Sequence, residues 1–148
     1  MNIDNAITDL CAFIDKSPTA YHVARSVGNR LAHCGFIPLD EKDKWKLKPN
    51  ESYFVERGGG VCAFRLPSHT PTRAFIMAAH TDSPALKLKP HPEHLSHHMS
   101  LFRTEPYGSP LLDTWFDRDL ALAGRVMTEE GESLLFAEES LIKHDNAH

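Results

Sequence analysis

The chain has little that would take it to a membrane, a nucleic acid or an oxidising compartment. No apolar run approaches the ~20 residues needed to cross a bilayer. With 16 Lys+Arg against 20 Asp+Glu, the net charge of −4 leaves no basic surplus for a nucleic-acid backbone. The cysteines, Cys11, Cys34 and Cys62, are three in number and lack CxxC spacing. They read as reduced, mostly buried thiols of a cytosolic protein. The amino-terminal pattern carries Asp4 and Asp9 and no basic stretch, so a signal peptide is not expected. No GxSxG elbow supports a serine nucleophile. The run Arg57-Gly58-Gly59-Gly60 lacks the Lys-Ser/Thr and helix of a phosphate loop. There is no internal repeat and no low-complexity tract. What remains is a soluble, cytoplasmic protein whose 148 residues suit one ordinary domain. Hydrophobic content of 41% and charged content of 24% are those of globular chains.

Hydrophobic periodicity then sets the elements. Ile3, Ala6, Ile7, Leu10, Cys11 and Ile14 recur at helical spacing and predict an amphipathic helix near 2–15. Ser17-Pro18-Thr19 breaks it, and Ser17 or Thr19 can cap a second helix with Ala20, Val23, Ala24, Val27 and Leu31 on one face. Gly35 falls where a helix often ends in a left-handed residue. Residues 53–56 and 61–66 are strand-like runs joined by the glycines, which predicts a hairpin. Residues 73–79 are more uniformly apolar, as in a strand buried on both faces. Ala85 to Lys89 alternates like a half-exposed strand, and Pro90 and Pro92 mark a boundary before an irregular stretch. Residues 124–127 and 133–136 read as two short strands around Glu129-Glu130-Gly131; beyond Ala137 no closing pattern is evident.

The densest chemistry lies at the end of the apolar run Phe75-Ile76-Met77, in Ala78-Ala79-His80-Thr81-Asp82-Ser83-Pro84. A buried strand ending in His-x-Asp places an imidazole and a carboxylate at a sheet's C-terminal edge, where ligand sites of open α/β sheets collect. Such a pair suits a metal site in which one ring nitrogen binds the ion and a carboxylate orients the ligand. The competing reading is a hydrogen-bonded structural histidine. His91, His94, His97 and His98 form a rival cluster, but their spacing is neither HExxH nor that of a zinc finger. A solvated histidine-rich loop is the simpler reading. In Thr114-Trp115-Phe116-Asp117-Arg118-Asp119-Leu120 two carboxylates flank an arginine beside two aromatics. That segment reads as a local ion-pair network, as a site for an acidic group, or as a subunit contact.

Taken together, these residues are similar to those of the M18 family of metalloaminopeptidases, the aspartyl aminopeptidase group. The resemblance is carried by Ser17-Pro18-Thr19-Ala20-Tyr21-His22, by Ala79 to Pro84 with Leu86-Lys87-Leu88-Lys89-Pro90, and by Tyr107-Gly108. Thr114 to Leu120 and Ala123-Gly124-Arg125-Val126 complete it. HTDSP with LKxKP at this distance from WFDRDL is highly specific, and the match spans roughly residues 8–126.

The resemblance implies an α/β fold: residues 1–90 as the N-terminal part of a zinc exopeptidase-like α/β domain, and 91–148 as the start of an inserted β-rich assembly domain, truncated. It implies a two-zinc aminopeptidase acting on peptides with a free N-terminus, preferably an acidic one, within a large homo-oligomer. Neither nucleic acid nor membrane is implied as a partner. His80 would be a zinc ligand, and Asp82 the catalytic-site carboxylate that orients it. The family's bridging aspartate, paired glutamates and later ligands are expected beyond residue 148. Tyr107-Gly108-Ser109-Pro110 departs from the family's Tyr-Gly-Gly stretch. Asp145-Asn146-Ala147-His148 looks like a run around a much later metal-binding aspartate, and is read as chance; His148 is a stand-in for another family histidine at most. The sheet is therefore expected to be incomplete, with exposed apolar edges. Two readings compete with that of a truncated peptidase. One is a non-catalytic assembly or interaction module; the other is a new single-metal site of His80 with the 91–98 cluster.

Overall fold

A computed structural model describes residues 3–131 and 133–138. These residues fall into two compact units, one running to Asp82 and resuming at Ala121, the other spanning Ser83–Leu120. No helix among them is long and apolar enough to cross a membrane.

In the first unit, α1 (Ile3–Asp15) and α2 (Ala20–His33) form where the 3.6-residue period predicts them. Thr19 caps α2: its backbone is extended, and its hydroxyl accepts from the His22 N–H at 3.5 Å. The Thr19 Oγ1 and His22 Nδ1 also lie 2.8 Å apart, so the third helical residue reaches back to its own cap. Beyond Cys34, Gly35 takes φ 83° and closes the helix.

Chain leaving α2 forms β1 (Ile37–Pro38), which runs parallel to β2 (Ser52–Arg57); β2 pairs antiparallel with β3 (Gly60–Arg65). The Arg57↔Gly60 pair leaves Gly58 and Gly59 as a two-residue turn, and Gly58 at φ 58° supplies the left-handed first position of a type II′ connection. The sheet order is β1-β2-β3. Its core is small: Ala24 of α2 with Tyr53, Phe54 and Val55 of β2. Phe54 faces α2, at Gly28. On the opposite face Tyr53 packs on its cross-strand partner Phe64, ring centroids 5.7 Å apart, and Trp45 covers Phe64 at 6.5 Å. The Lys48 N–H donates to the Tyr53 hydroxyl at 2.8 Å, which ties the 40–51 loop over that face.

Arg30 holds α1 to α2. It donates to both Asp9 carboxylate oxygens at 2.7 and 2.8 Å and lies over the Phe13 ring. The apolar stripe of α1 (Ile3, Ile7, Leu10, Ile14) stays exposed. So do all three cysteines, which are free thiols. The expectation of mostly buried thiols fails because Cys11 sits on an uncovered helix and Cys62 on an edge strand. The unit ends in the β6 (Leu122–Met127) and β7 (Ser133–Glu138) hairpin, at the expected place. The segment holding Asp145 and His148 lies outside the described residues.

The buried strand expected at 73–79 does not form. Those residues have no strand pairing, and Phe75, Ile76 and Met77 are 89%, 86% and 100% exposed. A strand apolar on both sides needs neighbours on both edges and layers on both faces. No described strand supplies them.

The second unit corrects the irregular reading of the stretch beyond Pro90. β4 (Ala85–Ser96) runs straight through both prolines and pairs antiparallel with β5 (Met99–Tyr107). The register shifts between Leu88 and Glu93, which pair with Thr104 and Phe102. Lys89, Pro90, His91 and Pro92 thus bulge opposite Arg103 alone, and His91 takes φ 51°. A bulge is where a strand can hold prolines that cannot donate to the ladder. His97 and His98 form the hairpin turn, both with positive φ. The chain then makes a short 3-10 helix, Leu112–Thr114.

Candidate metal centre

His80 follows the unpaired apolar segment, and its surroundings are set locally. The imidazole Nδ1 lies 2.7 Å from the Asp82 backbone carbonyl oxygen and 3.5 Å from Asp82 Oδ1. In the tautomer with the proton on Nδ1, the ring donates to that carbonyl, and Nε2 keeps its lone pair for an electrophile. A ring held by a carbonyl or carboxylate on one nitrogen, with the other open, is the usual posture of a metal-binding histidine. The Asp82 carboxylate takes a secondary place beside its own carbonyl.

Two further residues position the pair, and sequence reasoning missed both. The Thr81 hydroxyl donates to the Gly59 carbonyl at 2.7 Å, joining the His80–Asp82 turn to the β2–β3 hairpin. Gly59 is pressed against the start of α2: a side chain there would sit 2.9 Å from the Ala20 Cβ and 3.4 Å from its backbone carbon. The glycine run was legible only as a turn. The signal it also carried was its pairing with the small Ala20, which lets hairpin and helix meet closely.

The described residues do not fit a complete zinc centre. No group of three His, Cys, Asp or Glu side chains is placed to hold a metal among them, whereas catalytic zinc takes three protein ligands. His80 and Asp82 are brought together; the 91–98 histidines are spread along the hairpin. There His94 Nδ1 lies 3.0 Å from an Arg103 nitrogen, and His97 Nδ1 2.9 Å from the Ser96 hydroxyl. Nor do Asp117, Arg118 and Asp119 form the local ion-pair network that was one of the three readings of their segment. Among the described residues no ion pair joins them, and Arg118 donates instead to the Thr114 carbonyl at 3.3 Å. Asp117 adopts φ 53°, in a turn that follows the 3-10 helix.

Near α2, burial pushes the His22 imidazole below its ordinary pKa. A neutral Nδ1 accepting from the Thr19 hydroxyl agrees with that direction. The Arg30 hydrogen bond holds the Asp9 carboxyl below the usual carboxylate range.

A mixed α/β frame of helices and hairpins leads into the His80–Asp82 turn, and comparison with known proteins identifies the family to which it belongs. The family described as Aminopeptidase I zinc metalloprotease (M18) matches residues 13–146. The chain belongs to the M18 family. A probable M18 family aminopeptidase 2 of Streptomyces coelicolor is 42% identical over 131 residues, covering 86% of this chain and 30% of that protein. Its counterpart in Clostridium acetobutylicum is 42% identical over 137 residues, covering 90% and 31%. Among solved structures, a chain of the Ape4 and Nbr1 complex superposes with TM-score 0.79 at 38% identity, covering 88% of this chain and 26% of that one. A chain of the S. cerevisiae mApe1 dodecamer gives 0.76 at 26% identity, covering 93% and 34%. This chain therefore spans about a third or less of each of these relatives.

Proposed function

We propose that this chain is the N-terminal portion of a zinc aminopeptidase that removes N-terminal, preferably acidic, residues from peptides. In this reading His80 is one zinc ligand and Asp82 the carboxylate that positions it. Residues 1–90 belong to the peptidase α/β domain and 91–148 to the start of the inserted assembly domain. The observation that carries the reading is the His80 ring, docked by Nδ1 on Asp82 with its outer nitrogen open, inside a sequence that matches the M18 family over residues 13–146. Zinc is the family's metal. One imidazole and one carboxylate cannot hold a pair of zinc ions, so the chain alone is expected to be catalytically silent.

The test is release of amine from Asp- and Glu-p-nitroanilides by the pure 148-residue chain, with zinc and with chelator. No chelator-sensitive release above buffer is expected. Robust release that chelator abolishes would overturn the silent-fragment reading.

A second reading has its own observation. The β4–β5 hairpin exposes Leu95 and Phe102 on one face and Met99 and Leu101 on the other, apolar side chains of the kind subunits cover. As an assembly module, the chain would join copies of itself or longer homologous subunits, consistent with the dodecamer formed by mApe1. Sedimentation as a strict monomer at high concentration, with no binding to a longer homologue, would remove this reading.

A further inference from the structure

The chain leaves the first unit after Asp82 and re-enters it at Ala121, and both crossings are tied to the same turn. Just before the exit, the Thr81 hydroxyl donates to the Gly59 carbonyl at 2.7 Å. Just after the return, the Arg125 guanidinium of β6 lies over the Tyr21 ring, 4.4 Å from its centroid. Arg125 enters no ion pair among the described residues, so the aromatic face is what holds its charge. Tyr21 belongs to the first turn of α2 and sits beside the glycines. A Cβ at Gly58 would lie 4.0 Å from Tyr21 Cε1, and one at Gly59 would lie 2.9 Å from the Ala20 Cβ. Arg125 and Gly58 also border one cleft. Three sequence signatures therefore converge on Gly58-Gly59: Ser17–His22 through Ala20 and Tyr21, HTDSP through Thr81, and Ala123–Val126 through Arg125.

We infer that the Gly58–Gly59 turn pins both chain crossings to one point, and that Tyr21 and Arg125 are positioning residues which act through it on His80. The physical path is short. Glycines bring no side chains of their own to resist displacement, so the turn lies where its neighbours hold it. The Arg125–Tyr21 stack and Ala20 together fix where the Gly59 carbonyl lies. Thr81 bonds to that carbonyl and so fixes the backbone on which the His80 ring folds back to the Asp82 carbonyl. A carbonyl only accepts, so in the neutral ring this bond requires the proton on Nδ1 and leaves the lone pair on Nε2. Loosening the turn frees the ring to carry its proton on Nε2 instead. The bearing on catalysis rests on the zinc-ligand role proposed for His80; the tautomer itself does not.

The experiment reads the His80 tautomer from its ring-nitrogen chemical shifts in the 148-residue chain without metal, at about pH 8.5, where an ordinary imidazole is neutral. His80→Gln assigns the signals. The Nδ1–H form is expected to dominate. Tyr21→Leu and Arg125→Met remove the stack but keep bulk, and each should move the ratio about twofold or more toward Nε2–H, the scale of coupling between contacting residues. Tyr21→Phe keeps the aromatic face and Thr81→Ser keeps the hydroxyl, so both should match the wild type. Thr81→Val should move the ratio further, and adding Arg125→Met to it should change nothing more, because both act through one bond. The helical circular dichroism of α1 and α2 should stay constant throughout. An Nε2–H majority in the wild type, or unchanged ratios in Tyr21→Leu and Arg125→Met, would overturn the inference. So would additive effects of Arg125→Met and Thr81→Val, or shifts that accompany loss of helical signal. With no metal present, these outcomes are separate from those of the amine-release test.

Discussion

Single residues at the start of α2 fix the best-formed part of the molecule. Thr19 and His22 satisfy each other across the first turn, so Thr19→Ala is expected to cost about 1 kcal/mol, measured by urea denaturation. His22 adds a pH dependence with a definite sign. Its folded pKa is depressed by burial, so its contribution is complete above the unfolded value of about 6.5 and is lost as pH falls through it. Between pH 7.5 and 5.5 the wild-type urea midpoint should fall more steeply than that of His22→Gln; equal slopes would remove His22 as the cause. At this scale the sequence was informative where a residue's role is local. A cap at Ser17 or Thr19, which the structure assigns to Thr19, and the adjacency of His80 and Asp82 were legible. The Thr81–Gly59 bond joins positions 22 residues apart, and no spacing rule finds such a contact.

Elements followed their periodicity where their backbone hydrogen bonds close within the element or with an adjacent strand, as in α1, whose apolar stripe stays exposed. Both helices, the β2–β3 hairpin and the β6–β7 hairpin depend on neighbours within a few dozen residues, and all form as their patterns predict. Residues 73–79 carry an equally strong pattern and fail, because their apolar residues specify burial without providing what buries them. β4 fails the other way. Pro90 and Pro92 signalled a break, but a four-residue bulge lets the strand pass through them. The tip of that hairpin offers a test of local strain. His97 and His98 occupy a two-residue turn at φ 51° and 61°, which side chains other than Asn, Asp and Gly adopt at a cost. Replacing the pair by His97→Asn with His98→Gly should stabilise the hairpin by about 1 kcal/mol or more. Slower amide exchange across Ser96–Met99 would show it, and unchanged exchange would argue against strain.

For the whole molecule, family membership was far more legible than completeness of function. HTDSP, LKLKP and WFDRDL are short signatures that survive in any portion of a chain, whereas a zinc pair needs ligands gathered from distant positions. The described residues gather two potential ligands and no third, so metal should contribute nothing to folding. Dialysis against EDTA is expected to leave the thermal midpoint unchanged in scanning fluorimetry. A drop of several degrees would reveal a built site, since structural zinc is folding energy outright. The bulge at Pro90–Pro92 has a consequence of a different kind. A bare two-stranded ribbon with apolar side chains is a template on which fibrils can grow. This ribbon carries prolines on both strands, Pro90 and Pro92 on β4 and Pro106 on β5, and a lysine on each side of Leu88. Those residues interrupt any third strand that tries to add along its length. The bulge therefore acts against runaway edge-to-edge polymerisation in a chain that exposes much of its apolar surface.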